Sequence, residues 1–311
     1  MKTVAFLFPG QGSQKVGMGQ DIYMERSGTR AIFEAADRIC GLPIKQLCFE
    51  GPLETLTETV NLQPAITAVN LACLALIREA GVEPAMCAGH SLGEYSALHA
   101  AGVISAEDCL KLVFKRGELM HREATRNRGT MSAIIGLSIE EINAITAEAA
   151  GIVSVANHNS ADQIVISGEP AAVQAVSEKA SRSGARAVAL KVSGAWHSPL
   201  IEGAQAEFSA FLETVAIARP TCRVIHNVTA EAEGDSSRIP SLLARQLCSP
   251  VRWYDTMQRM LSESVDLFVE IGPGKVLAGL LKKTLPSGHP AGVFNVSDLK
   301  SLTKFLEAAE V

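Results

Sequence analysis

The stretch Gly89-His90-Ser91-Leu92-Gly93 constrains this chain more than any other. Pro84 to Ala88, before it, is an apolar run long enough for a buried strand. Glu94 to Ala101, after it, is rich in Ala and Leu, has no Pro or Gly, and reads as a helix. A serine between strand and helix in a G-x-S-x-G pattern predicts a nucleophile elbow, a strained turn that pushes the hydroxyl outward. Gly89 and Gly93 are expected where side chains would collide as strand and helix close on each other. The first N–H groups of the helix lack partners within it and point back at the serine. An oxyanion formed there meets donors and the positive end of a dipole.

The flanking sequence extends this into an α/β pattern. Val4 to Phe8 reads as a short buried strand running into Pro9-Gly10-Gln11-Gly12-Ser13-Gln14, a loop whose glycines let backbone approach a ligand and whose amides offer donors. Asp21 to Cys40 reads as helical with polar interruptions. Gln63-Pro64 opens a helix over Ala65 to Ala80, closed by Gly81. Ser105-Ala106-Glu107-Asp108 is a capping pattern before a helix carrying Leu112, Val113, Arg116, Leu119 and Met120. Between Arg126 and Gly194 the order becomes strand (Thr130–Leu137), helix (to Ala150), strand (Ile152–Ala156), strand (Gln163–Ser167), helix (Pro170–Ser183), strand (Arg186–Val192). This β-α-β-β-α-β order is that of a ferredoxin-like unit. Downstream, a helix over Ile201–Leu212, a strand over Arg223–Val228, helices over Leu242–Leu247 and Trp253–Ser262, a strand over Leu267–Ile271 and a helix over Val276–Lys283 restore the alternation of a parallel sheet. The expected fold is therefore a large α/β-hydrolase-like domain with a parallel sheet, residues 1–127 and 195–311, carrying the elbow. A ferredoxin-like subdomain, 128–194, is inserted into it.

Composition excludes several roles. With 28 Lys and Arg against 33 Asp and Glu, the formal charge is −5, so no general affinity for nucleic acid or anionic membrane is expected. The seven cysteines are scattered singly, without C-x-x-C or zinc spacing, which suits a reducing compartment and predicts no metal site. The N-terminal apolar run is too short for a signal peptide, and no stretch reads as a membrane span. A cytoplasmic location is expected.

A serine nucleophile needs a base. His90 precedes Ser91 in the strand and is expected on the opposite side. His197, in Ala195-Trp196-His197-Ser198-Pro199, follows the return from the insertion and can reach across the cleft; it could equally be a packed core histidine. No carboxylate stands out as a third member, since Asp255, Asp266 and Glu270 lie in no telling context. A histidine in mid-chain and the lack of an HGGG-type loop weigh against an ordinary hydrolase. Arg116, on an apolar stripe, is either an edge residue whose head reaches water or a buried anion ligand; the pattern alone favours the edge.

Six ordered segments carry a resemblance: Phe8-Pro9-Gly10-Gln11-Gly12-Ser13-Gln14, Gly89-His90-Ser91-Leu92-Gly93-Glu94, Lys115-Arg116-Gly117-Glu118-Leu119-Met120, Val192 to Leu200, Arg245-Gln246-Leu247 with Pro250-Val251-Arg252-Trp253, and Glu270-Ile271-Gly272-Pro273-Gly274. In that order the chain resembles the malonyl-CoA:acyl-carrier-protein transacylases and the acyltransferase domains of polyketide synthases. The resemblance implies Ser91 as nucleophile and His197 as its base, oriented by a backbone carbonyl near Gln246 instead of an acid. It implies an oxyanion hole from the N–H groups of Gln11 and Leu92, and Arg116 as the ligand of the malonyl carboxylate. Asn157 and Asn159 match a polar edge of the site. Trp196 departs from the family, whose malonyl-specific members commonly have Phe there. The implied partners are malonyl-CoA and the phosphopantetheine arm of an acyl carrier protein, with no cofactor and a monomeric chain. An acyl hydrolase or thioesterase on the same fold, a transferase for another acyl-CoA such as methylmalonyl-CoA, and an inactive docking scaffold are the alternatives.

Overall fold

Five parallel strands form the centre of the computed structural model, which describes residues 2–310. In chain order the strands are β1 (Val4–Phe8), β2 (Met86–Gly89), β3 (Thr130–Ile135), β4 (Val153–Ser160), β5 (Gln163–Gly168), β6 (Arg186–Ala189), β7 (Arg223–Ile225), β8 (Leu267–Ile271) and β9 (Gly292–Val296). The large sheet has the order β7-β2-β1-β8-β9, every pair parallel. Its middle strand, Val-Ala-Phe-Leu-Phe, is buried along its whole length. Continuous apolar sequence is what a parallel strand covered on both faces requires.

The insertion forms its own antiparallel sheet, β4-β5-β3-β6, which is the ferredoxin-like order. The helices Ile139–Ala147 and Pro170–Arg182 pack on it through Ile142, Val173 and Val176, against Ile134, Ile164 and Ile166. Ser138 and Glu141 form the capping box that opens the first helix. The edge strand β4 of this sheet is tied to a segment of the other lobe that lies outside the large sheet. His158 N–H donates to Val251 O (2.9 Å) and Val251 N–H to Ala156 O (2.8 Å), so β4 pairs with the segment entering the helix Trp253–Leu261. Register shifts in β4 precede Asn157 and follow His158; such irregularities re-aim side chains at a sheet edge.

Several elements differ from expectation. The helix expected from Ala65 begins at Thr59 and runs through Pro64 to Glu79. Proline favours a helix start, but here the preceding turn is buried and its polar groups are bonded, Asn61 Nδ2 to Thr55 O among them. By length and composition this helix could cross a membrane, contrary to the sequence reading, yet 89% of its apolar window is buried inside the fold. The helix expected over Ile201–Leu212 is a 3₁₀ turn (Pro199–Ala204) followed by an α-helix (Gln205–Leu212). Helices Ile44–Glu50, Leu53–Thr57 and Leu299–Ala309, and strand β9, were not foreseen. β6 stops at Ala189 and β7 at Ile225, short of the expected Val192 and Val228. All seven cysteines are free, although the pairing of β2 with β7 brings the sulfurs of Cys87 and Cys222 to 3.7 Å.

Candidate active site

β2 ends at Gly89 and the helix Gly93–Ala100 begins four residues later. Between them Ser91 takes φ +51°, a left-handed conformation that a non-glycine residue adopts at a cost. Both elbow glycines are sterically required. A Cβ on Gly89 would lie 2.0 Å from the Gly93 carbonyl carbon, and one on Gly93 would lie 2.0 Å from Phe8 O. The strained turn thus rests on the contact of β1 with the following helix.

His197 also has positive φ, +59°. Its Nε2 stands 2.7 Å from Ser91 Oγ, and its Nδ1 2.9 Å from the backbone carbonyl of Gln246. With Nδ1–H donating to that carbonyl, Nε2 is left as the acceptor for the serine proton. Burial and then the charge of Arg116 hold the imidazole far below its usual range, at about 3. It is therefore neutral at physiological pH.

Arg116 is fully buried, not at an edge. The helix Ala106–Arg126 turns it inward with Val113, Leu119 and Met120. Gly117 lets this helix approach the helix Thr59–Glu79, where a Cβ would meet Thr59 O at 3.1 Å. That approach puts Gln63 within reach. Arg116 Nη1 donates to Gln63 Oε1 (3.0 Å), and Nη2 donates to Ser91 Oγ (3.0 Å) and Gln246 Oε1 (3.1 Å). Its guanidinium lies over the Tyr95 ring at 5.7 Å. Among the described residues no carboxylate pairs with it, and its Nε has no partner.

Gly10 packs against the elbow, its missing Cβ 2.5 Å from His90 O and 3.5 Å from Leu92 N. The next residue, Gln11, follows directly. Among the described residues neither the Gln11 nor the Leu92 backbone N–H donates a hydrogen bond. A cavity of about 1000 Å³ opens between the two sheets, with Gln11, His90, Asn157, Asn159, Lys191 and Trp196 on its wall. Ser91, His197 and Arg116 are not themselves in that wall; His90 and Trp196, the chain neighbours of Ser91 and His197, are. Trp196 is buried and packs over Gly194, so it is at once a core and a cavity residue.

His90 is a correction. It faces the cavity, its Nε2 2.8 Å from Asn159 Oδ1 and its ring against Trp253. Strand alternation does not govern it, because β2 has already ended. The downstream acids are elsewhere: Asp255 pairs with Arg252, Asp266 accepts from Thr3 N, and Glu270 accepts from Ala278 N at a helix start.

Sequence reasoning missed the residues behind the elbow. Glu94 Oε1 accepts from His226 Nδ1 (2.7 Å), and Oε2 from Gln246 Nε2 (2.6 Å) and Asn227 N (3.2 Å). Asn227 Oδ1 accepts from Ser91 N (2.7 Å), and its Nδ2 donates to Gly89 O (2.7 Å). The only signal for Glu94 was its place beside Gly93. His226 and Asn227 follow a strand in no motif, and Gln63 looked like a helix-start residue.

Fold and site together define a class, the α/β acyl transferases built from a parallel sheet and an inserted antiparallel one. Residues 5–305 match the acyl transferase domain family, and the chain belongs to that family. Among its relatives is the malonyl CoA-acyl carrier protein transacylase of Bacillus subtilis (strain 168), 42% identical over 91% of this chain and 90% of the relative. The crystal structure of an acyl carrier protein S-malonyltransferase from Vibrio cholerae superposes with TM-score 0.92 at 40% identity, over 97% of this chain and 99% of the other. A malonyl-transacylase in complex with its type II PKS acyl-carrier protein superposes with TM-score 0.93 at 38% identity, over 98% and 99%.

Proposed function

We propose that Ser91, His197 and Arg116 carry out malonyl transfer from malonyl-CoA to an acyl carrier protein. The observation that carries this reading is the buried guanidinium beside Ser91 with no carboxylate partner. A cation so placed suits an acyl group with a free carboxylate, which it can hold through two parallel N–H···O bonds.

Ser91 Oγ gives its proton to His197 Nε2 as it attacks the thioester carbonyl. The oxygen of the tetrahedral intermediate is held by the N–H groups of Gln11 and Leu92. Collapse breaks the C–S bond, and His197 returns its proton to the departing CoA sulfur. The carrier's phosphopantetheine thiol then attacks the malonyl ester by the same steps in reverse. Residues 1–127 and 195–311 form the lobe bearing the elbow, and 128–194 the lobe bearing Asn157 and Asn159, which line the cleft. Trp196 bounds the acyl pocket. The chain acts as a cytoplasmic monomer in fatty acid or polyketide synthesis, without nucleic acid or membrane partners.

Intact-protein mass spectrometry after mixing with a panel of acyl-CoAs tests this. A malonyl adduct is expected that disappears in Ser91→Ala and passes to added carrier protein. His197→Ala should load about 10²–10⁴-fold more slowly, the usual scale of general base catalysis. A stable adduct on Ser91→Ala, or free malonate in place of loaded carrier, would overturn the reading.

A further inference from the structure

We infer that Glu94 is a positioning residue for the transfer reaction, holding both His197 and Arg116 in place through Gln246. This rests on the roles proposed above for Ser91, His197 and Arg116.

Gln246 meets the site in three ways. Its backbone carbonyl accepts from His197 Nδ1 (2.9 Å), its Oε1 from Arg116 Nη2 (3.1 Å), and its Nε2 donates to Ser91 O (3.0 Å). Base, cation and elbow therefore share one residue. An amide has an oxygen end and an NH₂ end, and a flip exchanges them. Here the NH₂ end is tied by its shortest bond, 2.6 Å, to Glu94 Oε2. A carboxylate only accepts, so it fixes the NH₂ end toward itself and the oxygen end toward Arg116. Glu94 is in turn fixed by His226 Nδ1 and Asn227 N, and all of these groups are buried.

The separation matters as much as the contact. A carboxylate touching Arg116 would neutralise it and compete with the acyl group. One amide away, Glu94 supplies opposite charge to the buried site while the guanidinium keeps only neutral acceptors, Gln63, Ser91 and Gln246. Burial of an arginine without a direct ion pair is costly, and a carboxylate at this remove lessens that cost without occupying the donors. The place of a triad acid is thus taken by a carboxylate acting through an amide and a main-chain carbonyl.

The test is Glu94→Gln in a double-mutant cycle with Gln246→Ala, which removes the amide but keeps the carbonyl. The readouts are single-turnover loading of Ser91 by malonyl-CoA and by acetyl-CoA, with folding checked by thermal melting. Glu94→Gln should slow malonyl loading on the order of 10–100-fold, the scale at which outer partners of a functional group act, and should slow acetyl loading less. The double variant should be no slower than Gln246→Ala alone. Unchanged loading by folded Glu94→Gln, or multiplicative losses in the double variant, would overturn the inference. If Glu94→Gln does not fold, Glu94→Asp repeats the test with the charge kept and the carboxylate withdrawn from Gln246. Failure of both to fold assigns Glu94 to the scaffold and equally overturns it. Absence of any adduct on the unsubstituted protein would instead refute the proposed function.

Discussion

Removal of the Arg116 side chain separates its two possible roles, acyl ligand and packing element. In the folded chain its donors meet Gln63 Oε1, Ser91 Oγ and Gln246 Oε1, all uncharged. A carboxylate drawn to within about 4 Å gains roughly 4 kcal/mol at the effective dielectric typical of protein sites. Truncating one partner of a buried charge pair costs about 2–5 kcal/mol. That corresponds to roughly 30-fold to several thousand-fold in loading. Arg116→Ala should therefore slow malonyl loading by that factor and spare acetyl loading, since acetyl has no carboxylate to hold. Stability moves both ways. Two glutamine oxygens lose a donor, at about 1–3 kcal/mol each if left unsatisfied, while an ion-unpaired buried charge disappears. The melting temperature is consequently a poor readout, and the malonyl-to-acetyl ratio of kcat/KM, followed by mass of the acyl-enzyme, is the informative one. Equal losses for both acyl groups would show that Arg116 only shapes the site.

The acid limb for acetyl loading should lie near the His197 value of about 3, leaving kcat/KM flat down to about pH 5, and Arg116→Ala should move it upward; a wild-type midpoint near the ordinary histidine value of about 6.5 would refute the assignment. Burial raises Glu270 to about 7, so its folded state binds protons more readily and its contribution, present below the unfolded value of 4.5, is lost as pH rises through 7. Glu270→Gln should remove that loss in urea titrations across the window, and an unaltered pH slope would contradict it. Gly93→Ala places a Cβ 2.0 Å from Phe8 O and should cost about 1–3 kcal/mol or more, the scale of overpacking, with loss of loading; an active, equally stable variant would disprove the elbow contact. Trp196→Ser should raise methylmalonyl loading relative to malonyl by opening the cavity wall, and an unchanged ratio in folded protein would make Trp196 a core residue alone.

Legibility in the sequence followed the range of the interactions. The elbow could be read because its requirements are local: two glycines, a short apolar run and an uninterrupted helix. The inserted sheet could be read because turns and periodicity gave its strands in order, and the order alone restricts the topology. Arg116 could not be read from pattern. Its place on an apolar stripe fits a stem packed at an edge as well as a buried cation, and only the approach of a second helix at Gly117 makes the buried form. The resemblance supplied what periodicity left open. His90 was misplaced because alternation was carried one residue past the end of β2. Glu94, His226 and Asn227 meet from segments more than 130 residues apart in sequence, and no local rule joins them. The helix Leu299–Ala309 escaped because its box uses Asp298 and Ser301, outside the usual Ser/Thr-to-Glu pattern.

On the proposed reading, the charge that selects the acyl group also restrains the base. Arg116 is the second cause, after burial, of the low His197 value. A base held so low accepts the serine proton reluctantly, because its protonated form faces a guanidinium. A malonyl carboxylate paired with Arg116 offsets that positive field without touching the imidazole. The imidazolium formed during attack then costs less than it does with acetyl bound. Recognition therefore enters the chemical step as well as binding, as transition-state stabilisation requires. It also follows that Glu94 must stand off from Arg116. A direct ion pair would relieve His197 permanently, raise its proton affinity in the free enzyme and erase the difference between an acyl group that brings a carboxylate and one that does not.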